Sequence, residues 1–225
     1  MDITDIVNQL TDTSTSLTSI LLKVKVFAVR LKNQQLMDWV TKEIEGYNGN
    51  DVLPEYRIFN GNIYGNIMNG RWKLTNQLIT LDGLEPKIRD SFEKFEFYNG
   101  ISGLEHLLSG ESYIVEIALQ PEVLNYLTQN LQNHGNPHAD VYSASRRIGK
   151  GAIEHTISMI RSNALNIMLE IEKEFGYKID MEKLMARNTE VNKTIFNTMN
   201  YITTDGNNNT INTGDSSNLI GNGKS

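Results

Sequence analysis

Asn62-Ile63-Tyr64-Gly65-Asn66-Ile67-Met68-Asn69-Gly70-Arg71-Trp72-Lys73-Leu74-Thr75-Asn76-Gln77 is the stretch that separates this chain from an all-helical protein. Strand formers Ile63, Tyr64 and Ile67 stand among asparagines and glycines, a mixture that helices disfavour. Asn69-Gly70 divides residues 62–68 from 71–77, and this dipeptide favours the positive φ angles of a tight type I′ hairpin. Upstream, Pro54 blocks helix, and Tyr56 and Ile58 carry the β-prone region back to Asp51, with Asn60-Gly61 a second turn or bulge. The pattern predicts β structure in the middle of the chain.

Towards the N-terminus the apolar period changes to three-four. Ile3, Ile6, Val7 and Leu10 mark a first helix, with Asp2 or Thr4 able to cap it. Ser14 or Ser16 opens a second, whose face is Leu17, Ile20, Leu21, Val24, Phe27, Ala28 and Leu31. Asn33 caps a third with Leu36, Trp39, Val40 and Ile44 inward, and Gly46 ends it. Towards the C-terminus, residues 84–97 read as a helix with Ile88, Phe92 and Phe95 inward, stopped by Asn99-Gly100. A short helix over 102–108 and a strand over 112–119 follow, the strand turning Tyr113, Val115 and Ile117 to one side. Pro121 starts a helix to residue 131, and residues 139–148 add a last strand. The longest helix spans 150–175, with Ile153, Ile157, Ile160, Ala164, Ile167 and Ile171 on a stripe widened by Leu165, Met168 and Leu169. Gly176 closes it, and residues 181–199 form a further helix. The expected class is α+β: N-terminal helices, a small antiparallel β-sheet in the middle and a long core helix near the C-terminus.

Residues 1–200 are expected to form the α+β body and 201–225 a tail rich in Asn, Gly and Ser. Only Ile202, Ile211, Leu219 and Ile220 are bulky and apolar there, too few for a core. An offset of eight residues lays Gly206 over Gly214 and Ile211 over Leu219. Such a weak repeat suits either a self-pairing β-prone segment or a disordered tail.

With 225 residues the chain can bury a core without crosslinks, and the absence of cysteine removes disulfides, thiolate nucleophiles and Cys-based metal sites. The acidic start Met1-Asp2-Ile3-Thr4-Asp5 is unlike a secretory signal, and no apolar run approaches the roughly 20 residues that span a bilayer. The expected compartment is the cytoplasm. A net charge of −6 disfavours nonspecific binding to nucleic acid or anionic lipid and suits protein partners.

Candidate chemistry is sparse. His134 and His138 have ligand spacing, but Gly135 and Pro137 between them forbid the helix that would aim both rings at one ion; His106 and His155 stand alone. Asp82-Gly83-Leu84-Glu85-Pro86-Lys87 offers two carboxylates and a lysine of the kind that serve a metal-dependent nuclease, and equally an ordinary turn before a helix. Lys23, Lys25, Arg30 and Lys32 share no stripe, whereas Arg146-Arg147 with Lys150 makes a small basic cluster that would meet phosphate or solvent. Phosphate-binding, dinucleotide, zinc-protease and nucleophile-elbow motifs are not found. No catalytic, cofactor or metal residue is assigned. The reading is a protein that binds and assembles, as a homo-oligomer and with other proteins, the alternative being the nuclease. Candidate interaction residues are Arg161, a charge beside a core stripe that needs a partner, and the tail aliphatics Ile211, Leu219 and Ile220.

Three blocks carry a family resemblance. The first runs from Leu21-Leu-Lys-Val-Lys-Val-Phe-Ala-Val-Arg-Leu31 through Leu36-Met-Asp-Trp39-Val40 and Glu43-Ile-Glu-Gly46-Tyr47 to Leu53-Pro54-Glu-Tyr56-Arg57. The second is Gly100-Ile101-Ser-Gly-Leu104-Glu105-His-Leu107, and the third extends from Ile153 through Arg161 to Leu169-Glu170. Together they resemble the AbiTii family of bacterial abortive-infection phage-resistance proteins. The resemblance implies a role in which infected cells stop growing or die before phage matures, it makes a phage-derived or host protein the expected partner, and it carries over no catalytic residue. Its motif adds Arg57 to the candidate interaction residues. Two positions after Arg161 the family more often has a second arginine; Asn163 stands there, so no paired-arginine site is carried over.

Overall fold

Asp2 caps α1 (Ile3–Thr11), its carboxylate accepting the Thr4 amide at 3.2 Å, and α2 (Leu17–Arg30) follows after a short turn. Asn33 caps α3 (Gln34–Glu45): its Oδ1 accepts the Leu36 amide at 2.8 Å while its Nδ2 donates to Asn192 at 3.0 Å. Gly46 stops α3 at φ +102°, where an added Cβ would lie 2.8 Å from the Tyr98 carbonyl. These local choices agree with the sequence pattern.

The computed structural model describes residues 2–204, and the chain divides into two compact units. Among the described residues one comprises 2–44 and 160–204, the other 45–159. The tail positions Ile211, Leu219 and Ile220 lie outside the described residues.

The second unit opens with a 3-10 turn (Glu55–Arg57), β1 (Ile58–Asn60), β2 (Asn62–Asn69) and β3 (Trp72–Leu78). It continues with α4 (Pro86–Glu93), β4 (Lys94–Glu96), α5 (Ile101–Ser109), β5 (Ile114–Ala118), α6 (Pro121–Asn133) and β6 (Ala139–Gly149). β1 and β4 form a two-stranded ribbon, and the other strands form an antiparallel sheet in the order β3-β2-β6-β5. One face of that sheet buries Ile63, Ile67, Val141 and Ala144 together with Leu127 of α6, and Ile88 and Phe92 of α4 pack against the cluster. At its centre Gly65 leaves room for a neighbour, since a Cβ there would approach the Ile79 side chain to 2.6 Å.

The helical unit is completed by the later turns of α7 (Gly151–Phe175), by α8 (Met181–Ala186) and by α9 (Asn188–Thr204). Its core draws Leu17, Ile20, Leu21, Val24 and Phe27 from α2, Ile160, Ala164, Ile167, Met168 and Ile171 from α7, and Leu184, Val191 and Ile195 from the last two helices. The architecture is α+β, with the long helix near the C-terminus.

Three sequence-based details are corrected. The hairpin loop is Gly70-Arg71, because Asn69 pairs with Trp72, and only Gly70 has positive φ (+60°). One positive φ at the first loop position marks a type II′ turn, so the glycine alone supplies the special conformation. The helix expected over 84–97 ends at Glu93; Phe95 belongs to the ribbon and Phe97 follows it in extended chain, its amide donating to the Arg57 carbonyl at 2.9 Å and its ring 5.3 Å from that of Phe95. Two buried residues two apart share a face in a strand and not in a helix. The helix expected over 181–199 breaks at Arg187, whose guanidinium lies 4.5 Å from the Phe175 ring centre and pairs with Glu190. β5 is an edge strand: on the side shared by Tyr113, Val115 and Ile117, Tyr113 and Ile117 are exposed and only Val115 is partly covered.

Candidate interaction surface

An antiparallel sheet can leave one face to water, and here the face opposite α4 and α6 is the open one. The two-residue alternation of β2 that buries Ile63, Gly65 and Ile67 turns Tyr64, Asn66 and Met68 outward. β6 adds Ser143, Ser145 and Arg147, β5 adds Glu116, and β3 adds Lys73, by the observed pairings of Tyr64 with Ser145, Arg147 with Glu116 and Met68 with Lys73. Tyr64, Gly65, Asn66, Glu116, Ser143, Ala144, Ser145 and Arg147 line a shallow groove of about 200 Å³.

The polar groups of this groove are pre-ordered by one another. Arg147 lies over the Tyr64 ring, 5.0 Å from its centre, and its Nε donates to Glu116 Oε2 at 2.9 Å and to Ser145 Oγ at 3.0 Å. Its Nη1 reaches Asn76 Oδ1. Asn66 donates to Ser143 Oγ at 2.9 Å and accepts the Asn76 amide at 2.9 Å, which holds Asn76 at φ +54° in a bulge of the β2–β3 pair. Lys73 lies 5.5 Å from the Tyr142 ring centre. Lys73 and Arg147 are balanced by Glu116 and Asp140, so the face is aromatic and polar without net charge. Such a surface recognises by shape and hydrogen bonding rather than by attracting phosphate.

Both sheet edges are also uncovered. All seven residues of β3 are exposed, Trp72 at 70% and Leu78 at 55%, and four of the five in β5 are, Ile114 at 50% and Ile117 at 48%. Large aliphatic and aromatic groups on an unpaired edge are unusual in a chain that avoids strand pairing.

The arginines singled out from the sequence serve the interior. Arg57 is fully buried; its Nη1 donates to the Phe97 and Asn99 carbonyls, both at 2.9 Å, and its guanidinium lies 4.7 Å from the Tyr47 ring centre. Arg161 finds its partners in carbonyl oxygens: Nη1 points at Gln9, Leu10 and Asp12, the last at 3.1 Å, and Nη2 donates to Thr15 at 2.9 Å. It thus closes the C-terminal end of α1, where helix carbonyls lack partners. Asn163 is 4% exposed, and its amide nitrogen has no hydrogen-bond partner.

The basic cluster of Arg146, Arg147 and Lys150 is dispersed among three internal tasks. Arg146 donates to the Ser91 carbonyl at 3.1 Å and to that of Lys94, at the end of α4, and burial pushes its guanidinium pKa down against the pull of Glu96. Lys150 donates to the Leu108 carbonyl at 2.8 Å and to that of Gly110, at the end of α5. Arg147 alone reaches the open face. Asp82 and Glu85 are exposed, Asp82 in the turn and Glu85 at the N-cap of α4. His134 accepts a close approach from Gly83 and holds the Asn130 carbonyl at 2.8 Å, while His155 lies edge-on to Phe59 at 6.0 Å. Among the described residues no three His, Cys, Asp or Glu side chains gather as a metal would require, and no helix is long and apolar enough to cross a membrane.

The groove residues Tyr64 and Glu116 were not singled out as site residues from sequence, and Arg147 was read only as a member of the basic cluster. Their signal is the polar alternate positions of β2 and β6, which become a site only when the strands are set side by side.

Fold and surface together define an α+β protein with an open-faced antiparallel sheet in one unit and a helical core in the other. The chain belongs to the AbiTii family, whose model matches residues 3–196, and is thereby a phage-defence protein of the abortive-infection type. Comparisons with curated proteins and with solved structures returned no match.

Proposed function

We propose that this protein acts in abortive infection by binding a phage-derived or host protein and by assembling copies of itself, in the cytoplasm, rather than by making or breaking covalent bonds. The observation that carries the reading is the sheet of the second unit, which offers one whole face and both edges to solvent. The face is built for contact: Tyr64 and Arg147 form a rigid stacked pair, and rigid aromatic and arginine groups are the usual anchors of protein interfaces. Its balanced charge supports a protein partner over nucleic acid. A metal-dependent nuclease would use Asp82 and Glu85, which stand exposed on a turn and a helix cap.

The test uses the full-length protein. Light scattering over a range of concentrations is expected to show a mass above that of the monomer, and Tyr64→Ala with Arg147→Ala is expected to protect cells less against phage while the protein stays folded. Mixed DNA and RNA incubated with the protein and Mg²⁺ or Mn²⁺ should remain intact. Degradation abolished by Asp82→Ala or Glu85→Ala would replace this reading with the nuclease.

A further inference from the structure

A sheet of four antiparallel strands has edges that run in opposite directions. A second copy set beside the first by translation across the strands therefore brings its β3 against β5 in antiparallel sense, with the same face up. The backbone shows which groups point outward. Tyr113 accepts from the Lys150 amide at 3.0 Å and the Leu119 amide donates to Ala144 at 2.9 Å, so the odd positions of β5 face β6, and Ile114, Glu116 and Ala118 face away. In β3, Trp72 pairs with Asn69 across the two-residue turn; Trp72 and Leu74 thus face β2, and Lys73 and Thr75 face away.

We infer that this protein assembles head to tail through its sheet edges, β5 of one copy pairing with β3 of the next so that Glu116 lies opposite Lys73. This inference rests on the self-assembly part of the proposed function and names its surface and its partner, a second copy of this chain. The register satisfies three conditions at once. Glu116 and Lys73 both point their backbone groups outward and exchange two hydrogen bonds, and their opposite charges meet on the open face. Glu116 holds Arg147 and Ser145 with Oε2, which leaves Oε1 for the ammonium. On the other face, Val115 meets Leu74 and Ile117 meets Trp72, which covers the exposed side chains of Trp72, Leu74 and Ile117.

Pairing β5 with its own copy about Glu116 would set carboxylate against carboxylate, so the two different edges are the complementary ones. The Ser112 hydroxyl now bonds the amide and carbonyl of Ile114, at 3.1 and 2.8 Å, and would yield to Thr75 of the neighbour. Because strands twist by roughly 20–25° each, successive copies rotate and the contact does not close into a ring. The mass should therefore keep growing with concentration.

Sedimentation velocity on the full-length protein over a hundredfold concentration range tests this. Wild type should grow in mass with concentration, and Lys73→Glu and Glu116→Lys should each weaken growth at least tenfold. An equimolar mixture of the two variants should recover it, since every junction then again pairs Glu with Lys. Ala118→Pro, which removes an outward amide while sparing the ladder to β6, should act like the single charge changes, and circular dichroism verifies folding of each variant. If wild type stays monomeric throughout, the self-assembly reading itself fails. If wild type grows but Lys73→Glu and Ala118→Pro grow equally, edge pairing is wrong while self-assembly stands.

Discussion

Arg57, Arg146 and Arg161 all direct their guanidinium groups at backbone carbonyls. A planar fork with several donors closes neighbouring carbonyls at a chain turn or helix end, a geometry that a lysine ammonium reproduces only in part. Arg161→Met should lower unfolding free energy by about 2–3 kcal/mol, read from urea titration, with Arg161→Lys recovering less than half. Asp12 lies in the same knot. Hydrogen bonds from the Ser14 hydroxyl and amide, and then from Thr15, hold its carboxyl below the ordinary carboxylate range. A folded-state pKa below the unfolded one adds stability that is complete above the unfolded pKa and is lost as pH falls through the folded one. Stability measured against pH should therefore show wild type ahead of Asp12→Ala at neutrality, with the gap closing below about pH 4. Asn163 gives the opposite expectation. Its buried amide is unpartnered, so Asn163→Leu should leave the melting temperature unchanged or raise it.

At the scale of elements, helix ends and strand alternation explain most of what forms. The caps Asp2 and Asn33, the stop at Gly46 and the break after α7 at Gly176 (φ +104°) are choices of side chain or backbone freedom made within a few residues, and each is readable from sequence. The sequence reading fails where a distant partner decides. Phe92 and Phe95 look like one helical face until β1 pairs Phe59 with Phe95 in a ribbon, with Phe59 packed 5.7 Å from Phe97. Two glycines of the β2–β3 hairpin separate the two kinds of constraint. Gly70 needs its positive φ but has open space around it, so Gly70→Ala should cost about 1 kcal/mol. Gly65 lies under Ile79 and Ser143, so Gly65→Val should cost about 2–3 kcal/mol. Thermal melts of the two variants would rank them, and an equal loss would contradict the crowding at Gly65.

For the whole molecule, three-four and two-residue periodicities were sufficient to establish the α+β class, the three N-terminal helices, the hairpin and the long helix, because these follow from how one segment sorts its own apolar and polar side chains. The blocks around Trp39, Gly46, Arg57 and Arg161 were likewise enough to point to the AbiTii family, since a motif is a property of sequence. Tertiary structure alone decided which charges are available. The Arg146, Arg147 and Lys150 cluster reads as one basic patch, yet successive strand residues face opposite ways and the following turn points elsewhere, so the three cations part company. It also decided that β5 and β3 are edges, because strand order depends on which segments pair across long distances and no local pattern records it. The open face joins Tyr64, Glu116 and Arg147 from strands far apart in the chain, and their convergence is a consequence of sheet register, which the burial of Ile63, Ile67 and Val141 on the opposite face enforces.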